Sequence, residues 1–223
     1  MIEFHCLSDS EQLAEAAARQ VLVAAEAAIT ARRRFRLVLA GGQTPLATYR
    51  RLAEMSAEWG HWEVFFGDER CLPQTHPERN DQAARLNWLD RVPIPPQKIH
   101  PIPAELGAKT AAARYTDLIQ GHLPFDLVLL GLGEDGHTAS LFPGHPSDAD
   151  ALVIPVYDAP KPPPERVSLG PRALSNCQSV LMLVSGQGKR QALARLRAGE
   201  DLPIARIRPR GQLLILADAA AWG

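Results

Sequence analysis

The chain has 223 residues, 46% of them hydrophobic and 22% charged, with a formal net charge of −1. That length can bury a core as one domain spanning residues 1–223, and so balanced a charge excludes a global field that draws the protein to nucleic acid or anionic lipid. Three widely separated cysteines, Cys6, Cys71 and Cys177, with no C-x-x-C pair, exclude a disulfide framework and a zinc knuckle.

The N-terminal residues show no basic segment followed by an apolar one, so no secretory signal is read there. No apolar stretch approaches the ~20 residues of a membrane span. A cytoplasmic protein is the default expectation.

In chain order, Ser8 with Glu11 three residues later predicts a capping box opening an Ala-rich helix to about residue 29. An apolar run at 35–40 predicts a strand, and Pro45 at an N1 position predicts a helix to about residue 57. Residues 62–67 read as a strand and 80–89 as a helix; the Pro-rich stretch 91–103 reads as a surface loop. A helix follows over 108–120 and a strand over 125–132, then two weaker strands at 152–157 and 166–169 flanking the Pro-rich loop 159–164. A helix at 171–177, a strand at 179–185, a helix at 188–197 and a strand at 213–217 complete the chain. Apolar runs without alternation suit strands buried on both faces, and their alternation with helices predicts an α/β domain with a mostly parallel sheet.

In such a sheet, ligands bind beyond the carboxyl ends of the strands, so the residues after each run carry the functional reading. After the first run come Gly41, Gly42, Gln43 and Thr44. The glycines let backbone N–H groups approach an anion, Thr44 adds a hydroxyl, and the helix behind adds its dipole. After the second come Asp68, Glu69 and Arg70. Either acid can orient a partner, and Arg70 can pair with an oxyanion or phosphate. After the third comes Gly131-Leu-Gly-Glu-Asp-Gly-His137, where a histidine suited to proton transfer stands among glycines with Glu134 and Asp135 as possible partners. Arg166 and Lys189, if their strands join one sheet, would point at the edge that carries Gly41–Thr44 and supply two cations for a phosphate monoester. The other histidines form no H-E-x-x-H or recognisable ligand pair, so no metal site is expected.

Together the stretches Ala40-Gly-Gly-Gln-Thr-Pro45, Phe66-Gly-Asp-Glu-Arg70, Asn80-Asp81, Leu132-Gly-Glu-Asp-Gly-His-Thr-Ala-Ser-Leu-Phe-Pro-Gly144, Arg166-Val-Ser-Leu169 and Gly186-Gln-Gly-Lys189 resemble the 6-phosphogluconolactonase family of the pentose phosphate pathway. The resemblance implies a modified Rossmann-like three-layer α/β sandwich, shared with glucosamine-6-phosphate deaminase and ribose-5-phosphate isomerase. It implies hydrolysis of 6-phospho-D-glucono-1,5-lactone to 6-phospho-D-gluconate, without metal or organic cofactor, by a monomer or weak homodimer whose partner is the small-molecule lactone.

By the same resemblance His137 is the base that activates water, Asp135 holds it, and Arg70 and Asp68 complete the catalytic group. Gly41, Gly42, Gln43, Thr44, Arg166 and Lys189 bind the phosphate. Two positions depart from the family's pattern: Gln43 stands where Ser is usual, and Gly170 where many relatives have Thr. A deaminase of the same fold would continue from Asp-Gly-His to a Glu-Pro; this chain runs Thr138-Ala-Ser-Leu-Phe-Pro143 instead. A sugar-phosphate sensor joined to a DNA-binding helix-turn-helix is disfavoured by the lack of room before the first strand.

Overall fold

The computed structural model describes residues 2–146 and 148–223; Met1 and Ser147 lie outside the described residues. The elements run β1 (Ile2–Leu7), α1 (Ser10–Arg32), β2 (Phe35–Leu39), α2 (Gln43–Leu52), β3 (Trp62–Phe66), β4 (Asp68–Arg70), α3 (Asn80–Asn87), β5 (Ile99–His100), α4 (Ala108–Gln120), β6 (Phe125–Gly131), β7 (Val153–Val156), β8 (Arg166–Leu169), α5 (Pro171–Ser175), β9 (Cys177–Val184), α6 (Arg190–Arg197), β10 (Leu213–Asp218) and α7 (Ala219–Trp222).

Seven strands form one sheet in the order β1-β10-β9-β6-β2-β3-β5, and every pairing in it is parallel. Every residue of β2 and of β10 is buried, as the unalternating apolar runs require when both faces of a sheet are covered. Helix α1 packs on α2 and on strands from β1 to β10, while α4 packs on β7 and β8. This is the α/β architecture with a mostly parallel sheet that the sequence predicts.

A second sheet, β4-β8-β7, is antiparallel; β7 and β8 are the two weaker predicted strands, but β4 and the separation into a sheet of their own were not anticipated. Gly67 joins the two sheets: its N–H donates to Leu39 O at 2.8 Å, and its carbonyl accepts from Leu169 N at 2.7 Å. Strand β1 and the short β5 were likewise not anticipated. β1 is an edge strand with alternating, partly exposed residues, so it lacks the continuous apolar signal.

Helix ends differ in detail from expectation. The cap of α1 is Asp9, whose carboxylate accepts from Glu11 N and Gln12 N, and Ser8 donates to that carboxylate instead of capping. Helix α2 starts at Gln43, which puts Pro45 at the third position and not the first, and it ends at Leu52. Pro is accommodated there because the N–H groups of a first turn have no helical partner.

The sheet order places a switch point between β2 and β6. From β2 the chain moves outward through β3 and β5, then returns to the other side of β2 at β6. A crevice opens at such a point beyond the carboxyl ends of the strands. The loops after β2 and β6 are Gly41–Thr44 and the His137 loop.

Candidate active site

At that switch point lies a cleft of about 330 Å³. Its walls include Gly41, Gly42, Gln43, Thr44, Asp68, Arg70, His137, Arg166 and Lys189, together with Asn80 and Ser185. Of the residues singled out from sequence, Glu69, Glu134 and Asp135 stand off the wall, Asp135 behind His137.

The strand ends feeding the cleft are clamped by two buried tyrosines. Tyr49 OH donates to Ala40 O at 2.8 Å and accepts from Ala40 N at 3.0 Å, fixing the backbone just ahead of Gly41. Tyr115 OH accepts from Phe66 N at 2.9 Å, just ahead of Gly67. Gly42 has φ of +103° and is the N-cap of α2 with no side-chain cap, so the first-turn amides of the helix open toward the cleft. Those amides and the helix dipole favour an anion.

His137 is built into its loop by glycine. Its Nδ1 lies 2.5 Å from Asp135 Oδ1, and its ring packs on Phe142 with centroids 4.8 Å apart. A carboxylate only accepts, so Nδ1 carries the hydrogen and Nε2 is left free to take a proton. Burial pushes the Asp135 carboxyl up, but the hydrogen bond and charge of His137 outweigh it and hold Asp135 below its ordinary value. A Cβ on Gly133 would stand 2.0 Å from His137 Nδ1 and 2.5 Å from Asp135 Oδ1, so only glycine permits this pair. Glu134 is not the partner; its carboxylate faces Lys161 Nζ at 4.0 Å.

The three charges after β3 divide. Asp68 reaches the cleft while its carboxylate accepts from Ser140 Oγ at 2.6 Å and Asn80 Nδ2 at 3.2 Å. Glu69 turns away and is fully buried, accepting from Arg70 N, Asn80 N and Asp81 N at 2.8–2.9 Å. Burial pushes the Glu69 carboxyl up, and these N–H groups and the buried Arg79 guanidinium, 3.7 Å away, oppose that. Glu69 thereby pins the start of α3, and with it Asn80, whose side chain fills the space a Cβ on Gly41 would need. Arg70 donates to Glu78 O.

The two distant cations reach the cleft by different routes. The condition that their strands share one sheet is not met: Arg166 opens β8 of the small antiparallel sheet, whereas Lys189 follows β9 of the large one, yet both line the cleft. Arg166 is buried, and its Nε and Nη2 donate to the carbonyls of Pro163, Lys161 and Pro162 at 2.8–3.2 Å, which leaves Nη1 for the cleft. Lys189 ends a short 3-10 turn, Gln187–Lys189, and caps α6, at the start of the helix as the sequence predicts. Burial, reinforced by Lys161, holds its ammonium below the ordinary lysine value.

Asn80 stands within a stretch that carried the resemblance, yet no role was read for it. The same is true of Ser140, whereas Ser185 and Asp218 gave no sequence signal beyond being polar residues near strand ends. Among the described residues, no group of three or more His, Cys, Asp or Glu side chains is placed to hold a metal ion, and no helix is long and apolar enough to cross a membrane.

A family model for glucosamine-6-phosphate isomerases/6-phosphogluconolactonase matches residues 8–216. The chain is 35% identical over 208 residues to a 6-phosphogluconolactonase of Mycobacterium leprae, covering 86% of this chain and 84% of the relative. To a 6-phosphogluconolactonase of Synechocystis it is 39% identical over 209 residues, 87% of this chain and 86% of the relative. Among solved structures, the 6-phosphogluconolactonase of Thermotoga maritima superposes with a TM-score of 0.91 at 28% identity, covering 98% of this chain and all of that one.

Proposed function

From the premise that the chain belongs to the glucosamine-6-phosphate isomerase/6-phosphogluconolactonase family, we propose that it hydrolyses 6-phospho-D-glucono-1,5-lactone to 6-phospho-D-gluconate, with His137 as general base. The observation that carries the reading is the His137–Asp135 pair set in the same cleft as Arg166, Lys189 and the amides of α2.

The phosphate binds at one end of the cleft, held by Gly41, Gly42, Gln43 and Thr44 and by the charges of Arg166 and Lys189. That remote binding energy positions the ester carbon at the other end. His137 Nε2 takes a proton from water as the water oxygen bonds to the lactone carbonyl carbon. The carbonyl oxygen becomes an oxyanion, which Arg70 stabilises. The tetrahedral intermediate collapses, the bond from that carbon to the ring oxygen breaks, and His137 returns the proton to the departing ring oxygen. Asp135 keeps the imidazole oriented and balances its charge in between. Asp68, held by Ser140 and Asn80, accepts a hydrogen bond from a sugar hydroxyl. Water and these side chains suffice for the step, and a cytoplasmic monomer or weak homodimer of one domain is enough to perform it.

The test is hydrolysis of freshly generated lactone, timed against its spontaneous opening. Acceleration by catalytic amounts of protein supports the reading. Ammonia release from glucosamine 6-phosphate without lactone hydrolysis would replace it with a deaminase.

A further inference from the structure

A buried carboxylate that the mechanism leaves unused stands behind Lys189. Asp218 ends β10 and is 3% exposed, and no basic side chain pairs with it among the described residues. Its Oδ2 accepts from Ser185 Oγ at 2.5 Å, both oxygens accept from Gly186 N at 3.1 Å, and Oδ1 accepts from Ala221 N at 2.8 Å. A buried carboxylate without a counter-ion is costly, so its retention calls for a reason that a neutral side chain would not meet. Donors converging on a charge make stronger bonds than neutral pairs do.

Those donors belong to the turn that presents Lys189. Ser185 lines the cleft, and Gly186, at φ +94°, bends the chain so that its carbonyl accepts from Lys189 N at 2.9 Å. One bond each way therefore joins the Asp218 carboxylate to the Lys189 backbone. The third donor, Ala221 N, ties the same carboxylate to the start of α7.

We infer that Asp218 is a positioning residue for phosphate binding: it clamps the Ser185–Gly186 turn so that Lys189 is held against the cleft before substrate arrives. The inference rests on Lys189 being a phosphate ligand. A preset lysine loses less freedom on binding, so the clamp acts on affinity and not on the chemical step at His137.

The test compares Asp218→Asn, Asp218→Ser, Ser185→Ala and Lys189→Ala with the wild type. The readouts are kcat and KM for the lactone, Ki for inorganic phosphate and Tm. Serine still caps α7 at this position but is too short to hold the turn, so it separates clamping from helix capping. Both Asp218 variants should raise KM and phosphate Ki together by about tenfold, with kcat within about twofold, as weakening one charge-assisted hydrogen bond would do. Ser185→Ala should raise them about threefold, with no further rise when it is combined with Asp218→Asn.

Folded Asp218 variants with unchanged KM and Ki, while Lys189→Ala raises both, would overturn the inference and leave the site intact. A fall in kcat at unchanged KM would also overturn it. If the Asp218 variants do not fold, Ser185→Ala decides: unchanged KM and Ki refute the clamp. If Lys189→Ala itself changes neither constant, the phosphate-site reading fails first.

Discussion

Arg70 and Arg166 face each other directly across the antiparallel β4–β8 ladder, and both line the cleft. Directly opposed residues on paired strands project to the same side, and like charges there are destabilising by roughly 0.2–1 kcal/mol. Burial, reinforced by Arg70, holds the Arg166 guanidinium below its ordinary value, with Asp68 opposing. The pair thus carries a repulsion that an anion bound between them would relieve.

Arg70→Gln should therefore leave the Tm of the free protein unchanged or raise it by up to about 4 °C. The same variant should lower kcat/KM by about 10- to 100-fold, the loss of one charge-assisted bond. Thermal melts and steady-state kinetics on one preparation check both halves.

Gly133→Ala should fold and yet lose most of its turnover. The added methyl occupies the position of His137 Nδ1 and presses on Asp135, so the ring must leave its partner. A fall in kcat of about 10²–10⁴, similar to losing the base itself, is the expected outcome.

Lys189 predicts an alkaline limb in binding. Its ammonium is held below the ordinary lysine value, so as pH rises it loses its charge earlier than an exposed lysine does, and KM should climb accordingly. Bound phosphate favours the charged form, so binding raises the value and takes up a proton in that range. Lys189→Arg keeps its charge there and should move the climb to higher pH; KM measured across the alkaline range reads this directly.

Gly170→Thr, which restores the residue common in the family, should destabilise this protein. A Cβ at that position would stand 2.4 Å from Ala151 O, a backbone atom in the segment leading into β7, so relief requires a backbone shift. A cost of about 1–3 kcal/mol, or roughly 2–12 °C in Tm, is the expected outcome of a thermal melt.

The central sheet was legible because β2, β3, β6, β9 and β10 are mostly apolar on consecutive positions and need no alternation to be recognised. Of the small sheet, β7 and β8 were read as strands but β4 was not, because it consists of the three charged residues Asp68, Glu69 and Arg70, and only the fold shows Glu69 buried under three N–H donors. The residues that touch the cleft stood out as charges and glycines at strand ends. Those that hold them, such as Asn80, Ser140 and Asp218, act through contacts 12 to 72 residues away in sequence, which no local pattern encodes. Arg166 reached the cleft although its strand joins a different sheet, because Gly67 stitches the two sheets together at that edge.

The central claim is that His137 moves the proton, and kcat of His137→Ala on freshly generated lactone, corrected for spontaneous opening, tests it most directly. The account predicts a drop of about 10²–10⁴-fold in kcat with little change in KM, in a protein whose Tm shows that it is folded. A folded His137→Ala enzyme with near wild-type kcat would contradict it.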